Sequence, residues 1–527
     1  MRVDRRDRES AFLRHGGLAR IASALGLVSA LACATPTLEG ERTLTEVDPR
    51  REARFAEGPP ERVFLITVAG LRATDYLDPF GHAAAEGALV RMPTLARLAR
   101  EGATGLAAIP PVPSASRATH ATLVTGRTPP SHGVIADATL DGEGTRSLPF
   151  HDSRMLQGAT LWDAAVGRGV VSLGWPTTAG ARIELLLPEP AGDGLAFARP
   201  GTSPAITREI TTIAAEARSA SADDESAAAW PSPSQEDGVL VEVACRLIAS
   251  ERDAGLWLLR LDQTLGPLAA FGPGSVEADQ ALGRVDADLA RLVDCLAANG
   301  QLDDTAIFVT GDAAHHPVHT RVAPNTVLAR TGLVGRDPRT ATGLRSWLAL
   351  ARSHGRSAYV YARDAANALD ARNVLRAEAD RTGDFEIVSA KELGLLGGDP
   401  QAWFALVAPP GVVITDDLSG PSSAPARVRG APGVLGDLPA ETSVGFVAWG
   451  RGVRNHVRLP SVDLLDVAPT ISALLGLRLE SDVEGEPILG ILRAAVEPPP
   501  SGPRRLGQER DADARLRELR RGRGETR

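Results

Sequence analysis

What most constrains this chain is a set of short, nearly uninterrupted apolar runs. Arg62-Val63-Phe64-Leu65-Ile66-Thr67-Val68 has strand length and is rich in β-branched and aromatic residues, and it does not alternate with polar ones. Such a run leaves no face for water, so it predicts a strand buried on both faces, as in parallel sheets. Similar runs recur at 255–261 and 305–310. Between them, 276–299 sets Ala281, Leu282, Val285, Leu289, Leu292 and Leu296 on one stripe of a helix. Strands alternating with helices predict an α/β fold with a mainly parallel central sheet. A further helix is expected at 92–100, ended by Gly102, and a closing helix at 462–475.

Residues 337–415 break this rhythm. A helix is expected over 343–353 and a strand over 358–362, followed by a helix and a strand ending at Val388, together a small α+β cap. The expected layout is a signal or lipoprotein segment at 1–34, a linker at 35–60, a core α/β domain at 61–336 and 416–492 interrupted by the cap at 337–415, and a disordered tail at 493–527. From Glu497 onward the tail carries Pro498-Pro499-Pro500 and nine arginines against six acidic residues.

The N-terminus has the pattern of an export signal. Arginines at 2, 5, 6, 8, 14 and 20 precede the short apolar run 21–32, too short for a spanning helix. Ser29-Ala30-Leu31-Ala32-Cys33 resembles a bacterial lipobox with Cys33 as the lipidated residue, and cleavage after Ala34 is the alternative. The expected localisation is a bacterial cell envelope with a lipid anchor as the only membrane attachment, or a secreted or periplasmic protein.

Charge narrows the partners. The chain holds 57 basic and 66 acidic side chains, a net −9, and Lys391 is its only lysine. This acidic balance argues against a general nucleic-acid binder, which would need clustered positive charge. Cys245 and Cys295 are read as two partly buried thiols, with a single bridge as the other option, and three cysteines make no cysteine-based zinc site.

The most specific segment is Pro113-Ser114-Ala115-Ser116-Arg117-Ala118-Thr119-His120-Ala121-Thr122-Leu123-Val124-Thr125-Gly126, followed by Ser131-His132-Gly133-Val134. It resembles the nucleophile region of the type I phosphodiesterase/nucleotide pyrophosphatase branch of the alkaline phosphatase superfamily. Gly174-Trp175-Pro176, Gly272-Pro273-Gly274-Ser275, Asp312, Pro324-Asn325, Ala358-Tyr359-Val360-Tyr361 and Asp466-Val467-Ala468-Pro469-Thr470 follow in the family's order. The resemblance implies an alkaline-phosphatase-like α/β/α sandwich. It also implies a hydroxyl nucleophile between two zinc ions, one lowering the hydroxyl's pKa and the other neutralising phosphoryl oxygens.

Carried over by position, Ser116 falls on the nucleophile, Thr119 on a phosphoryl-holding residue, and Asp262 and Asp312 on two metal ligands. Ala69, Gly266, Ala313 and Pro432 fall on four other ligand positions and have no side-chain donor. The resemblance therefore implies a fold that has lost its metal centre, with no cofactor and an anionic, phosphorylated small molecule or an envelope protein as partner. The alternative is an active phosphodiesterase or phosphatase using Ser116 and a rearranged two-zinc site. The plainer readings are Ser116 as a helix N-cap, Asp262 and Asp312 as strand-end caps, and His120 and His132 as packing residues. His315, His316 and His319 are the candidates for relocated ligands, and Arg117 and Arg321 for a metal-free anion clamp.

Overall fold

The computed structural model describes residues 58–78, 81–82, 90–140, 147–189, 200–220, 236–339, 343–433, 435, 442–479 and 482–493. The export segment with Cys33, residues 35–57 of the expected linker and the tail beyond Arg493 lie outside the described residues.

The apolar runs become the centre of a nine-stranded sheet. In chain order its strands are β1 (Arg62–Val68), β2 (Ala103–Ile109), β3 (Val170–Leu173), β4 (Leu185–Leu187), β5 (Leu256–Leu261) and β6 (Thr305–Gly311). After β6 the chain leaves the sheet through β7 (His315–Val322) and the cap strands β8 (Ala349–His354), β9 (Ser357–Ala362), β10 (Glu386–Ser389) and β11 (Phe404–Val407). It returns by β12 (Gly411–Ile414), β13 (Ser423–Pro425) and β14 (Gly430–Pro432) to the sheet strands β15 (Val444–Gly450), β16 (Val457–Leu459) and β17 (Val462–Asp463).

The spatial order is β16-β2-β15-β6-β1-β5-β3-β4, with β17 also on β2. Only β15 runs antiparallel to its neighbours, β2 and β6. Every residue of β1, β5 and β6 is buried, as the unbroken runs require.

Two hydrophobic layers flank the sheet. Phe64, Ile66, Val68, Trp257 and Leu259 face helices α1 (Pro93–Glu101), α3 (Pro204–Ala220), α4 (Glu236–Ser250) and α6 (Val276–Ala298). Val63, Leu65, Leu256, Leu258 and Phe308 face α2 (Ser116–Thr125) and α8 (Val467–Leu475). This is the α/β/α sandwich. The short α5 (Leu265–Phe271) lies between β5 and α6.

The cap strands form one antiparallel sheet in the order β8-β9-β11-β10, packed against α7 (Ala365–Thr382). Strand β7 joins cap to core, pairing in parallel with β12 and antiparallel with β13 and β14. The turn between β8 and β9 seats on that joint, where Arg356 N–H donates to the Gly433 carbonyl (3.3 Å) and Ile414 N–H to the Gly355 carbonyl (2.9 Å).

Three expectations are corrected. The expected helix at 343–353 is extended: Leu344–Trp347 pairs with Val334–Arg336, and Ala349–His354 is β8. The expected closing helix begins as a strand at Val462 and a 3-10 turn at 464–466, and is α-helical only from Val467. Cys245 and Cys295 are bridged, with Cα atoms 5.5 Å apart, tying α4 to α6. Among the described residues no helix is long and apolar enough to cross a membrane.

Candidate functional site

The candidate site lies where β1, β5 and β6 end, the edge of a parallel sheet at which α/β folds hold ligands. Ser116 opens α2 as its first residue, and the cap position belongs to Ala115, so the N-cap reading of Ser116 is corrected. Its hydroxyl instead donates to Asp312 Oδ2 at 2.6 Å, across 196 positions of chain. The other oxygen of Asp312 accepts from the backbone N–H of Gly70 (3.0 Å) and of Ala313 (2.7 Å).

Asp312 is thus a buried carboxylate whose demand for partners is met inside the protein. Burial by itself would raise its pKa. It is outweighed by the neighbouring His120, by the hydrogen bonds from Ser116 and Gly70, and by the charge of Arg260; the carboxyl stays below its ordinary value.

His120 cannot take the Ser116 proton. Its Nδ1 donates to the Ser116 carbonyl (2.7 Å), so Nε2 accepts from the Thr67 hydroxyl (2.8 Å), and Trp175 packs edge-on against the ring. Burial pushes its pKa down to about 4, leaving it neutral at pH 7. His132 is likewise structural, bonded to Thr122 Oγ1 (3.0 Å) and accepting from Val134 N–H (3.1 Å).

Thr119 is fully buried, and its hydroxyl has no hydrogen-bond partner, so it faces the interior and not a cleft. Asp262 stands at the end of β5 with its side chain 3.4 Å from Arg260 Nη2. The turn that carries it is held by buried Asp237, which accepts from the N–H groups of Asp262 (3.0 Å) and Gln263 (3.1 Å).

Of the four positions without a donor, Ala69 and Ala313 are packed inside, Gly266 is exposed on α5, and Pro432 pairs through β14 with His315. The candidate replacements do not rebuild a centre. His315 is buried beside Gly70, with neither ring nitrogen hydrogen-bonded, while His319 is exposed and bonded to Thr320. Among the described residues no group of three or more His, Cys, Asp or Glu side chains is placed to hold a metal ion. The residues present do not fit a two-zinc centre, which requires three or four donors per ion.

The anion-clamp reading of Arg117 and Arg321 also changes. Arg321 is paired with Asp417 at 2.8 Å. Arg117 forks onto Glu189 through Nε (3.1 Å) and Nη2 (2.9 Å), and Arg260 Nη1 reaches the same carboxylate at 2.6 Å. The N–H of Arg117, at the helix end that an anion would seek, donates to Asp137 at 2.9 Å. Glu189, Asp137 and Arg260 were not among the expected site residues. Arg260 had a signal, being a lone charge inside the apolar run 256–261, which demands a buried partner.

A layered α/β/α sandwich with helix α2 starting at the ends of its central strands defines the class of protein, that of alkaline-phosphatase-like folds. The chain belongs to the type I phosphodiesterase/nucleotide pyrophosphatase family, whose model matches residues 63–433. Human ectonucleotide pyrophosphatase/phosphodiesterase 5 is similar in structure, with a TM-score of 0.56 at 15% identity, covering 80% of this chain and 96% of that one. The murine protein, alone or as an inactive variant in complex with AMP, gives 0.56 at 16% identity with the same coverage. At these identities the likeness is one of fold. No curated protein matches the sequence.

Proposed function

We propose that this chain is a non-catalytic member of its family, exported and tethered through Cys33 to a bacterial envelope, that works by binding. One observation carries the reading: the Ser116 hydroxyl and the Asp312 carboxylate satisfy each other at 2.6 Å. A nucleophile needs its proton withdrawn and its lone pair free, and a ligand carboxylate needs its oxygens free. Here the Ser116 proton is directed at a carboxylate kept below its ordinary pKa, a poor general base, and both Asp312 oxygens already accept hydrogen bonds.

Export is supported by the Cys245–Cys295 bridge, which suits an oxidising compartment. The partner the site favours is a protein. A phosphorylated molecule, such as the AMP held by the murine variant, would meet Arg117 and Arg260 already engaged and Asp137, Glu189, Asp262 and Asp312 close by. Leu265 and Phe271 on α5 and Val276 at the start of α6 are 39%, 53% and 69% exposed, apolar side chains of the kind that protein contacts cover.

The test is metal content by mass spectrometry of the purified protein, together with hydrolysis of a chromogenic phosphodiester with added zinc and Ser116→Ala as control. The expected result is zinc well below one ion per chain and equal background turnover in both proteins. Stoichiometric zinc with turnover abolished by the substitution would establish the active phosphodiesterase with a rearranged metal site instead.

A further inference from the structure

A cavity of about 230 Å³ is lined by Asn325, Leu344, Leu350, Arg352, Asp416 and Leu418, none of which belongs to the strand-edge site. Its walls divide by chemistry. Leu344 and Leu350 are buried members of the cap core, and Leu418 packs against the same cluster. Asn325 is fully buried, and its amide is engaged by Ala351, donating to the carbonyl and accepting from the N–H, each at 2.8 Å. The polar groups still open are those of Arg352 on β8 and Asp416 just after β12, where Arg352 Nη1 donates to Asp416 Oδ2 at 3.2 Å. That pair leaves capacity on both sides. Its side chains are 17% and 42% exposed, and among the described residues Nε and Nη2 of Arg352 meet no acceptor. Asp416 Oδ1 accepts from the Ser353 N–H at 2.7 Å, and each carboxylate oxygen keeps a second lone pair.

A guanidinium with open N–H groups seeks a carboxylate, and a carboxylate with open lone pairs seeks an ammonium. We propose that this cavity binds a free α-amino acid with an aliphatic side chain, its carboxylate on Arg352, its ammonium on Asp416 and its side chain against Leu344, Leu350 and Leu418. One cation and one anion on the wall are then matched by one of each on the ligand. A carboxylate alone would face the charge of Asp416, and an ammonium alone that of Arg352. A partly exposed ion pair has little stability to lose when a ligand inserts beside it. Size points the same way, since drug-sized ligands take pockets of about 300–1,000 Å³ and this one suits a smaller molecule. The site stands apart from Ser116 and Asp312 and does not depend on the non-catalytic reading.

The experiment titrates the full chain calorimetrically with L-leucine, glycine, N-acetyl-L-leucine and L-leucinamide, and follows the thermal midpoint with each. L-Leucine is expected to bind saturably and to raise the midpoint. Glycine lacks the apolar side chain, the acetylated form lacks the ammonium and the amide lacks the carboxylate, so each is expected to bind at least about tenfold more weakly. Arg352→Gln and Asp416→Asn are expected to weaken L-leucine by about tenfold or more while melting near the parent when no ligand is added, since Asn keeps an acceptor for the Ser353 N–H. The proposal is overturned by the absence of saturable L-leucine binding up to about 10 mM. Equal binding of any of the three analogues overturns it too, as does undiminished binding by both variants. Should a variant fail to fold, the analogues on the parent decide the matter alone. Zinc content and Ser116-dependent turnover are separate readouts, so a failure here and a failure of the non-catalytic reading are told apart.

Discussion

At Ser116 the proposed non-catalytic reading comes down to where one proton goes. Its hydroxyl points at Asp312, and Asp312 holds two backbone N–H groups as well. Asp312→Ala would leave three buried donors unmet and is expected to cost about 2–4 kcal/mol in denaturant unfolding, whereas Ser116→Ala removes one partner from a carboxylate that keeps two and should cost about 1 kcal/mol. Gly70 is part of the same arrangement. Its φ of +71° favours glycine, and a Cβ there would press on Leu268 and lie 3.0 Å from His315 Nδ1. Gly70→Ala is expected to destabilise by about 1–3 kcal/mol, read as a lower denaturant midpoint at unchanged slope. The resemblance singled out Ser116 and Asp312, but their mutual bond was not legible, because a motif gives identity and spacing and not side-chain direction.

Among the elements, the buried strands, α6 and the cap strands β9 and β10 were legible, and the strands at 344–354 that open the cap were not. Leu344, Trp347, Leu348 and Ala351 follow helical spacing, which is why 343–353 reads as a helix. In the fold Leu348 is the 45% exposed joint between two strands, and the buried Leu344, Trp347, Leu350 and Ala351 belong to different pairings. Hydrogen bonds from Val334–Arg336 and from β9 override the local preference. The α4–α6 bridge is another case: each cysteine is a lone residue on its own helix, and only packing brings them together. Closing 50 residues of sequence separation, it is expected to contribute roughly 4 kcal/mol. Cys245→Ser with Cys295→Ser should therefore lower the thermal midpoint, and reductant should bring the parent to the same value. A parent indifferent to reductant would show that the bridge contributes nothing.

For the whole molecule, stability depends on pH through groups buried in the neutral state. Burial pushes His120 to about 4, His132 to about 3 and His316 to about 4. Unfolded histidine titrates near 6.5, so between about 6.5 and 4 the unfolded chain binds more protons, and these residues lose stability as pH falls. Asp237 works in the opposite sense, because burial and the nearby Asp262 raise its pKa and favour the protonated form when folded. A difference measurement isolates one group. His132→Asn is expected to be destabilised relative to the parent at pH 7, and the gap should narrow as pH drops from 6.5 towards 4, because only the parent pays for protonation. A gap constant with pH would refute the assignment.

By itself the sequence determined the layered sandwich and the residues without a side-chain donor at 69, 266, 313 and 432. These follow from residue identity and from periodicity, which is a local property of the chain. Only the tertiary structure decided that Ser116 is spent on Asp312 and that Arg117, Glu189 and Arg260 form one ion-paired group. Those partners are separated by 196, 72 and 71 positions, and no local spacing encodes a bond between side chains that meet only after the sheet has formed.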